Sequence, residues 1–248
     1  VNDHSRERAD ALYSAGARNF IIDIAHGHSV LMKEMIYWMK TNYRDTFVVA
    51  GNVATGEAVS DLASWGADSV KAGIAGGSCC STNVVTGHGV PQFSAVLECS
   101  HAADRCGVSI IADGGIKNSG DIVKALVAGA DLVMIGSLLS GTDETPGNFI
   151  ETAHGKVKEF RGMASSAAMS NRPDQKDTYI PTAEGVKALV KSKGSAIDVV
   201  NGLTKGLKSG MSYCNAQNMS DIATNAKWGV RTMAGLHEGH PHILGAAK

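Results

Sequence analysis

Proline and aromatic residues are scarce in this chain, with five prolines and 5% Phe, Trp and Tyr among 248 residues. A proline-rich disordered chain is therefore excluded, and no Gly-Xaa-Yaa period supports collagen. Neither sign of charge predominates. Lys and Arg number 23 and Asp and Glu 24, for a formal net charge of -1. That balance argues against a dedicated nucleic-acid binder or a binder of anionic membranes. The Lys and Arg are dispersed, without the aromatic-interleaved basic stripe of a nucleic-acid surface. No apolar run approaches the ~18 residues of a membrane span. The start, Val1-Asn2-Asp3-His4, is no signal peptide. No CxxC occurs, and the five cysteines include an adjacent pair, Cys79-Cys80. A disulfide framework or a zinc site is not expected, and a reducing cytoplasm is the simple reading.

Glycine is abundant instead. The 29 glycines among 248 residues make about 12%, against about 7% on average. Glycine at that level points to tight turns or to backbone that approaches a ligand closely. The length fits a single (β/α)₈ barrel of about 250 residues.

Strands and helices alternate through the first 140 residues. Predicted strands are Asn19–Ile24, Phe47–Ala50, Asp68–Ala72, Ser109–Ala112 and Asp131–Ile135. Predicted helices are Ser29–Tyr43, Glu57–Trp65, Gln92–Cys106 and Gly120–Ala128. Near-continuous apolar strands between helices imply a parallel sheet covered by helices. Each strand ends on a polar residue or a glycine: Asp23, Asn52, Gly73, Asp113 and Gly136-Ser137. That C-terminal edge is where ligands bind in barrels and open α/β sheets. After residue 140 the signal weakens. Residues 171–182 read as a polar, mobile excursion, Ser195–Ser209 as an amphipathic helix and Ser220–Asn225 as a short one. No linker suggests a second domain.

Two loops carry candidate chemistry. The first, GIAGGSCCST (Gly73–Thr82), is too glycine-rich to pack as core. Its backbone can curl N–H groups around an anion or carbonyls around a cation. A cysteine there is a candidate nucleophile, with Ser81 and Thr82 hydroxyls beside it. The competing reading is a tight loop with two inert thiols. The second pairs Asp113-Gly114-Gly115 with Gly136-Ser137, at the ends of consecutive strands. On the last two strands of a barrel such loops hold phosphate, and Asp113 suits a sugar diol. The alternative is ordinary turn chemistry. His26 and His28 are spaced too closely for a firm metal site. The tail HEGHPH has three histidines but no matching cluster elsewhere.

The ordered set GIAGGSCCST, TGHGVPQ, ADGGI (Ala112–Ile116), MIGS (Met134–Ser137) and RGMASSAAM (Arg161–Met169) resembles the IMP dehydrogenase/GMP reductase family, from about Arg6 to Leu244. The resemblance implies a (β/α)₈ TIM barrel, an NAD(P)-dependent oxidoreductase and a cytoplasmic homotetramer. It implies a purine nucleoside monophosphate at the C-terminal face of the barrel. Cys80 matches the cysteine that attacks purine C2, and Thr82 a neighbouring catalytic threonine. Ser78, Gly115, Gly136 and Ser137 match the phosphate site, and Asp113 the ribose ligand. Gly162 and Met163 match residues near phosphate and base, and Glu184 and Gly185 a purine-contacting turn. Asp23, Asn52 and Gly73 match positions near the nicotinamide nucleotide. Carbonyls of Ala75, Gly77 and Cys80 match a potassium site, and Glu238 would be offered to a neighbouring subunit's cation.

Two reactions share the scaffold. A reductase takes GMP and NADPH to IMP and ammonia, and a dehydrogenase takes IMP and NAD to XMP. The short stretch from Met169 to Glu184 and the run IDIAHGHS resemble the reductase, which is favoured. Tyr179 is kept while Thr178 stands where dehydrogenases carry Arg, and Ser166 stands where many reductases carry Glu. The tail AGLHEGHPH and SGMSYCNA lean toward the dehydrogenase. Ala75, Asn83 and Phe160 depart from the common pattern and leave open a weakly catalytic homologue that binds purine nucleotide as a sensor. The expected organisation is one catalytic domain over 1–248, with a mobile flap at about 164–186 and a tail at about 228–248. If the phosphate loops mark strands seven and eight, Asn19–Ile24 is strand four. Three strands, on the order of 80–100 residues at barrel-unit size, are then expected upstream. Without them the sheet would expose an apolar edge, with poor solubility or a partner strand as the consequence.

Overall fold

The computed structural model describes residues 1, 4–165, 168 and 183–241. Five parallel strands form one sheet in chain order: β1 (Asn19–Asp23), β2 (Phe47–Val53), β3 (Ser69–Ala72), β4 (Ser109–Asp113) and β5 (Leu132–Met134). Helices α1 (His4–Ser14), α2 (Val30–Asn42), α3 (Gly56–Trp65), α4 (Thr82–Thr86), α5 (Gln92–Cys106) and α6 (Ser119–Val127) precede or join them. The predicted strands and helices lie within a few residues of β1–β5, α2, α3, α5 and α6.

Strand side chains alternate between two faces. One face sends Ile22, Val48, Ala50, Val70, Ala72, Ile110 and Ala112 into the main core, against Met32, Ile36 and Met39 of α2, Val59 and Leu62 of α3, and Val96 and Cys99 of α5. The other, concave face carries Asp23, Lys71 and Asp113 near its C-terminal end. On that face Ile21, Phe47 and Leu132 are exposed. β1 and β5 are the two edges of this sheet.

The entry into four of the five strands, β1, β3, β4 and β5, repeats one device. Gly16, Gly66, Gly107 and Gly129 each end a helix with positive φ, which only glycine adopts cheaply. The next residue then bonds back five positions: Ala17 N to Leu12 O, Ala67 N to Leu62 O, Val108 N to Ala103 O and Ala130 N to Ala125 O. After two of these turns an aspartate captures the strand already laid down. Asp68 Oδ2 accepts Val48 N at 2.6 Å, and Asp131 Oδ2 accepts Ile110 N at 2.7 Å. The Gly-Ala-Asp triplets at 66–68 and 129–131 therefore set strand register as well as helix ends.

The chain past residue 140 differs from its expected irregularity. A second, antiparallel sheet forms from β6 (Ile150–Thr152), β7 (Gly155–Arg161) and β8 (Lys187–Lys191), in that order. Helices α7 (Ala196–Tyr213), α8 (Met219–Asn225) and α9 (Met233–Glu238) follow. Leu203, Leu207 and Met211 of α7 pack with Ile122 and Leu126 of α6 in a smaller cluster. Residues 171–182, with Thr178 and Tyr179, lie outside the described residues, as do Ser166 and the end of the tail. Among the described residues no helix is long and apolar enough to cross a membrane.

Candidate active site

The Gly73–Thr82 loop leaves the C-terminal end of β3 and is held from three sides. Gly115 N donates to Gly76 O at 2.7 Å, tying it to the loop after β4. Gly73 has φ +143, and a Cβ there would lie 2.1 Å from Asp113 O. The third side is the root of the expected flap. Ser81 N donates to Glu184 O at 2.8 Å and Val186 N to Cys79 O at 3.0 Å, and Glu184 N bonds Ala164 O at 3.0 Å. Gly185 forms β-bridges to both Cys80 and Ser165. Both roots of the 164–186 segment thus clamp beside the two cysteines. A Cβ at Gly162 or Gly185 would sit about 3.1–3.2 Å from Cys79 O or Ser165 N, so these glycines serve close approach.

The cysteines differ in environment. Cys79 is buried and Cys80 exposed. Cys80 Sγ lies 3.1 Å from Thr82 Oγ1, and Thr82 Oγ1 donates to Glu184 Oε2 at 2.7 Å. The single hydroxyl proton goes to the carboxylate, so the oxygen is left to accept from the thiol. The result is a directed chain from thiol to hydroxyl to carboxylate, the arrangement that activates a nucleophile. Of the other thiols, Cys99 is fully buried. Burial, aided by the neighbouring Glu98 carboxylate, pushes it up to about 12. At neutral pH only ~10⁻⁵ of it is thiolate, and thiolate is the reactive form. Iodoacetamide on native protein is expected to label Cys80 and the exposed Cys106 but spare Cys99 until unfolding. Peptide mass spectrometry checks this, and native labelling of Cys99 contradicts it.

On the concave face a polar network joins four strands, β1 to β4. Asn52 Nδ2 donates to Gly73 O at 2.9 Å and to Asp113 Oδ2 at 3.0 Å. Lys71 Nζ reaches Asp23 Oδ1 at 2.9 Å and Asp113 Oδ2 at 3.0 Å. Asp23, Asn52, Gly73 and Asp113 are therefore brought together, through a lysine that the sequence reading passed over. Its signal was a charged residue inside the short run Ser69–Ala72, all of it buried. Asn52 Oδ1 is buried without a partner among the described residues. A buried orphan acceptor suits a ligand donor, so these residues fit a nicotinamide nucleotide.

The expected phosphate residues leave adjacent strands, since Asp113 pairs with Met134. The 136–140 turn closes by Leu139 N to Gly136 O and Ser140 N to Ser137 O, while Ser78 and Met163 are exposed. The potassium positions fit less well. Ala75 takes φ +63, where a Cβ costs about 1–2 kcal/mol, and Gly77 O accepts Cys80 N at 3.1 Å. Glu238 ends α9. Among the described residues no group of His, Cys, Asp and Glu could hold a metal.

A family model described as the IMP dehydrogenase / GMP reductase domain matches residues 1–242. The chain belongs to the IMP dehydrogenase/GMP reductase family. It is 45% identical to inosine-5'-monophosphate dehydrogenase of Chlorobaculum parvum, covering 98% of this chain and 51% of that protein. It is 43% identical to GMP reductase of Leishmania major, with the same coverage of 98% and 51%. The crystal structure of a GMP reductase from Trypanosoma brucei in complex with guanosine 5'-monophosphate superposes with a TM-score of 0.93 at 42% identity, over 98% of this chain and 51% of that one. The parallel sheet and its helices therefore have the barrel architecture of this family. The chain spans about half the length of the curated relatives it matches.

Proposed function

We propose that this chain carries the catalytic half of a purine nucleoside monophosphate oxidoreductase that acts as a GMP reductase. The observation that carries the reading is the Cys80–Thr82–Glu184 chain on the loop between the concave-face carboxylates and the flap roots. The GMP complex of the Trypanosoma brucei relative supports the substrate class.

In this reading the Cys80 thiol gives its proton through Thr82 toward Glu184, and the sulfur attacks C2 of GMP. The 2-amino group leaves as ammonia, taking up protons, and the purine stays bound to sulfur. A reduced nicotinamide, when bound, supplies the hydride to C2. The C–S bond then breaks, releasing IMP and the thiolate. Two easier substitutions replace one difficult one. Phosphate held by Ser78, Gly115, Gly136 and Ser137 is remote from C2, so its binding energy orients the base against Cys80. Met163 and Gly185 border the base, and Gly162 the phosphate. Asp113 takes the ribose, and Asp23, Asn52 and Gly73 the nicotinamide nucleotide, with NADPH favoured over NAD. No step passes through potassium, for which Ala75, Gly77 and Cys80 carbonyls and Glu238 remain the family-derived positions. A single catalytic domain over 1–248, a homotetramer and a cytoplasmic setting belong to the same reading.

The test offers the protein GMP with NADPH and, separately, IMP with NAD, and follows absorbance of the reduced nicotinamide. Consumption with GMP is expected. Production with IMP would assign the dehydrogenase instead, which the Chlorobaculum parvum relative favours. Tight nucleotide binding without either turnover would assign the sensor. Glu184→Gln is expected to lower kcat by ~10²–10⁴, the range of a lost proton-transfer group. Thr82→Val should lose a similar amount, and the double variant little more, because a relay fails as a unit. Additive losses in steady-state kinetics would break the relay apart.

A further inference from the structure

Lys71 is the largest fully buried side chain among the described residues, 1% exposed. It stands in the middle of a sheet whose other face is apolar core. Such a cation persists only where it is paired and hydrogen-bonded. Its partners are not on neighbouring helices. Besides the thioether of Met134 at 3.8 Å, they are the two carboxylates that the proposed function gives to different ligands, Asp113 to the ribose and Asp23 to the nicotinamide nucleotide.

The pairing is selective by atom. Lys71 Nζ takes Asp113 Oδ2 at 3.0 Å, and Asn52 Nδ2 takes the same oxygen at 3.0 Å. No hydrogen bond to Asp113 Oδ1 occurs among the described residues. Lys71 likewise takes only Oδ1 of Asp23, at 2.9 Å. Each carboxylate is therefore fixed by one oxygen and offers the other. The side chain of Asp113 is 25% exposed and that of Asp23 63%, so neither carboxylate is sealed from solvent. Backbone spacing explains the reach: Asp23 pairs with Gly51, and Gly51 with Lys71, so a residue without a side chain lies between them. A Cβ on Gly51 would meet Lys71 Cβ at 2.6 Å.

We propose that Lys71 is a positioning residue that aims both carboxylates, so that one buried ammonium serves the nucleotide subsite and the cofactor subsite together. The inference rests on the proposed function and deepens it. A carboxylate held by one oxygen has a fixed plane, and its free oxygen can accept from a ribose diol in one geometry. Without the ammonium, Asp113 loses its counter-ion and one of its two hydrogen-bond donors.

The experiment measures GMP and 2′,3′-dideoxy-GMP binding by calorimetry in wild type, Lys71→Met and Lys71→Gln. Wild type is expected to prefer GMP by about tenfold to a hundredfold, the range of hydrogen bonds to a charged group. In both variants the preference should fall to within about threefold of unity, as expected when those bonds are lost. A purely structural role would weaken both ligands equally and leave the ratio intact. Lys71→Gln keeps an amide donor in the pocket and covers the case in which Lys71→Met does not fold. Affinity for NADP⁺ at saturating GMP should also fall in the variants. A ratio or a cofactor affinity that survives in a folded variant overturns the shared role alone. Wild-type protein that binds neither nucleotide overturns the functional reading and this inference with it.

Discussion

Cys80→Ser is expected to lower GMP-dependent oxidation of NADPH by ~10³-fold or more, the scale seen when a nucleophile is removed. GMP affinity should change by less than about threefold, because phosphate, ribose and base contacts are uniform binding that the thiol does not supply. A serine hydroxyl is a far weaker nucleophile near neutral pH than a thiol with a few per cent thiolate. Cys79→Ser serves as the internal control. Cys79 is 9% exposed, and a Cβ at Gly162 would lie 3.3 Å from its Cβ, so its side chain faces the flap root. What the site takes from Cys79 is its carbonyl, which accepts Val186 N and survives substitution. Turnover and calorimetry on the two variants decide the register of the loop. Activity kept by Cys80→Ser and lost in Cys79→Ser would move the nucleophile by one residue.

The half of the fold that holds this loop was readable because its signals are local. Apolar runs such as Ile110–Ala112 lie between helices that stop at glycines with positive φ, and both features sit within a few residues of each other. The antiparallel sheet offers neither. In β7 Val157 and Lys158 are buried, Phe160 is half-buried and Gly155, Lys156, Glu159 and Arg161 are exposed, so lysines and a glutamate interrupt any apolar period. Helix α1 was missed for a related reason: only Ala9 of its eleven residues is buried. The site was legible as far as glycines and reactive side chains mark loops. Its wiring was not. Thr82 and Glu184 are 102 positions apart, and Lys71 and Asp23 48 apart. No spacing rule links residues that distant until the strands are paired.

Lys158→Met is expected to destabilise the protein by about 2–4 kcal/mol, from the cost of carbonyls left without a donor. Lys158 is 3% exposed. Its three ammonium protons have three acceptors, the carbonyls of Thr142 at 2.9 Å, Asp143 at 3.2 Å and Thr145 at 2.7 Å. The ring of Phe149 covers it at 4.4 Å. The cation is therefore held by carbonyl dipoles and a π-face rather than by a carboxylate, and it gathers a loop that has no sheet of its own. Methionine matches the length but offers no donor, and arginine would bring a planar five-donor fork into space shaped for an ammonium. Thr142 keeps a second donor in the hydroxyl of Thr145, which limits the loss. At roughly 2–4 °C per kcal/mol for a chain of this size, the melting midpoint should fall by ~5–15 °C. The same loop continues from the 136–140 turn, where Lys193 donates to Ser137 O and Leu138 O. Loosening it should therefore weaken phosphate-dependent binding before the core opens. Limited proteolysis is expected to cut first between residues 141 and 149. A melt within ~1 °C of wild type, small against the shift expected per kcal/mol, with no new cleavage there would mean that the loop is held by its backbone bonds alone, such as Asp143 N to Gly194 O.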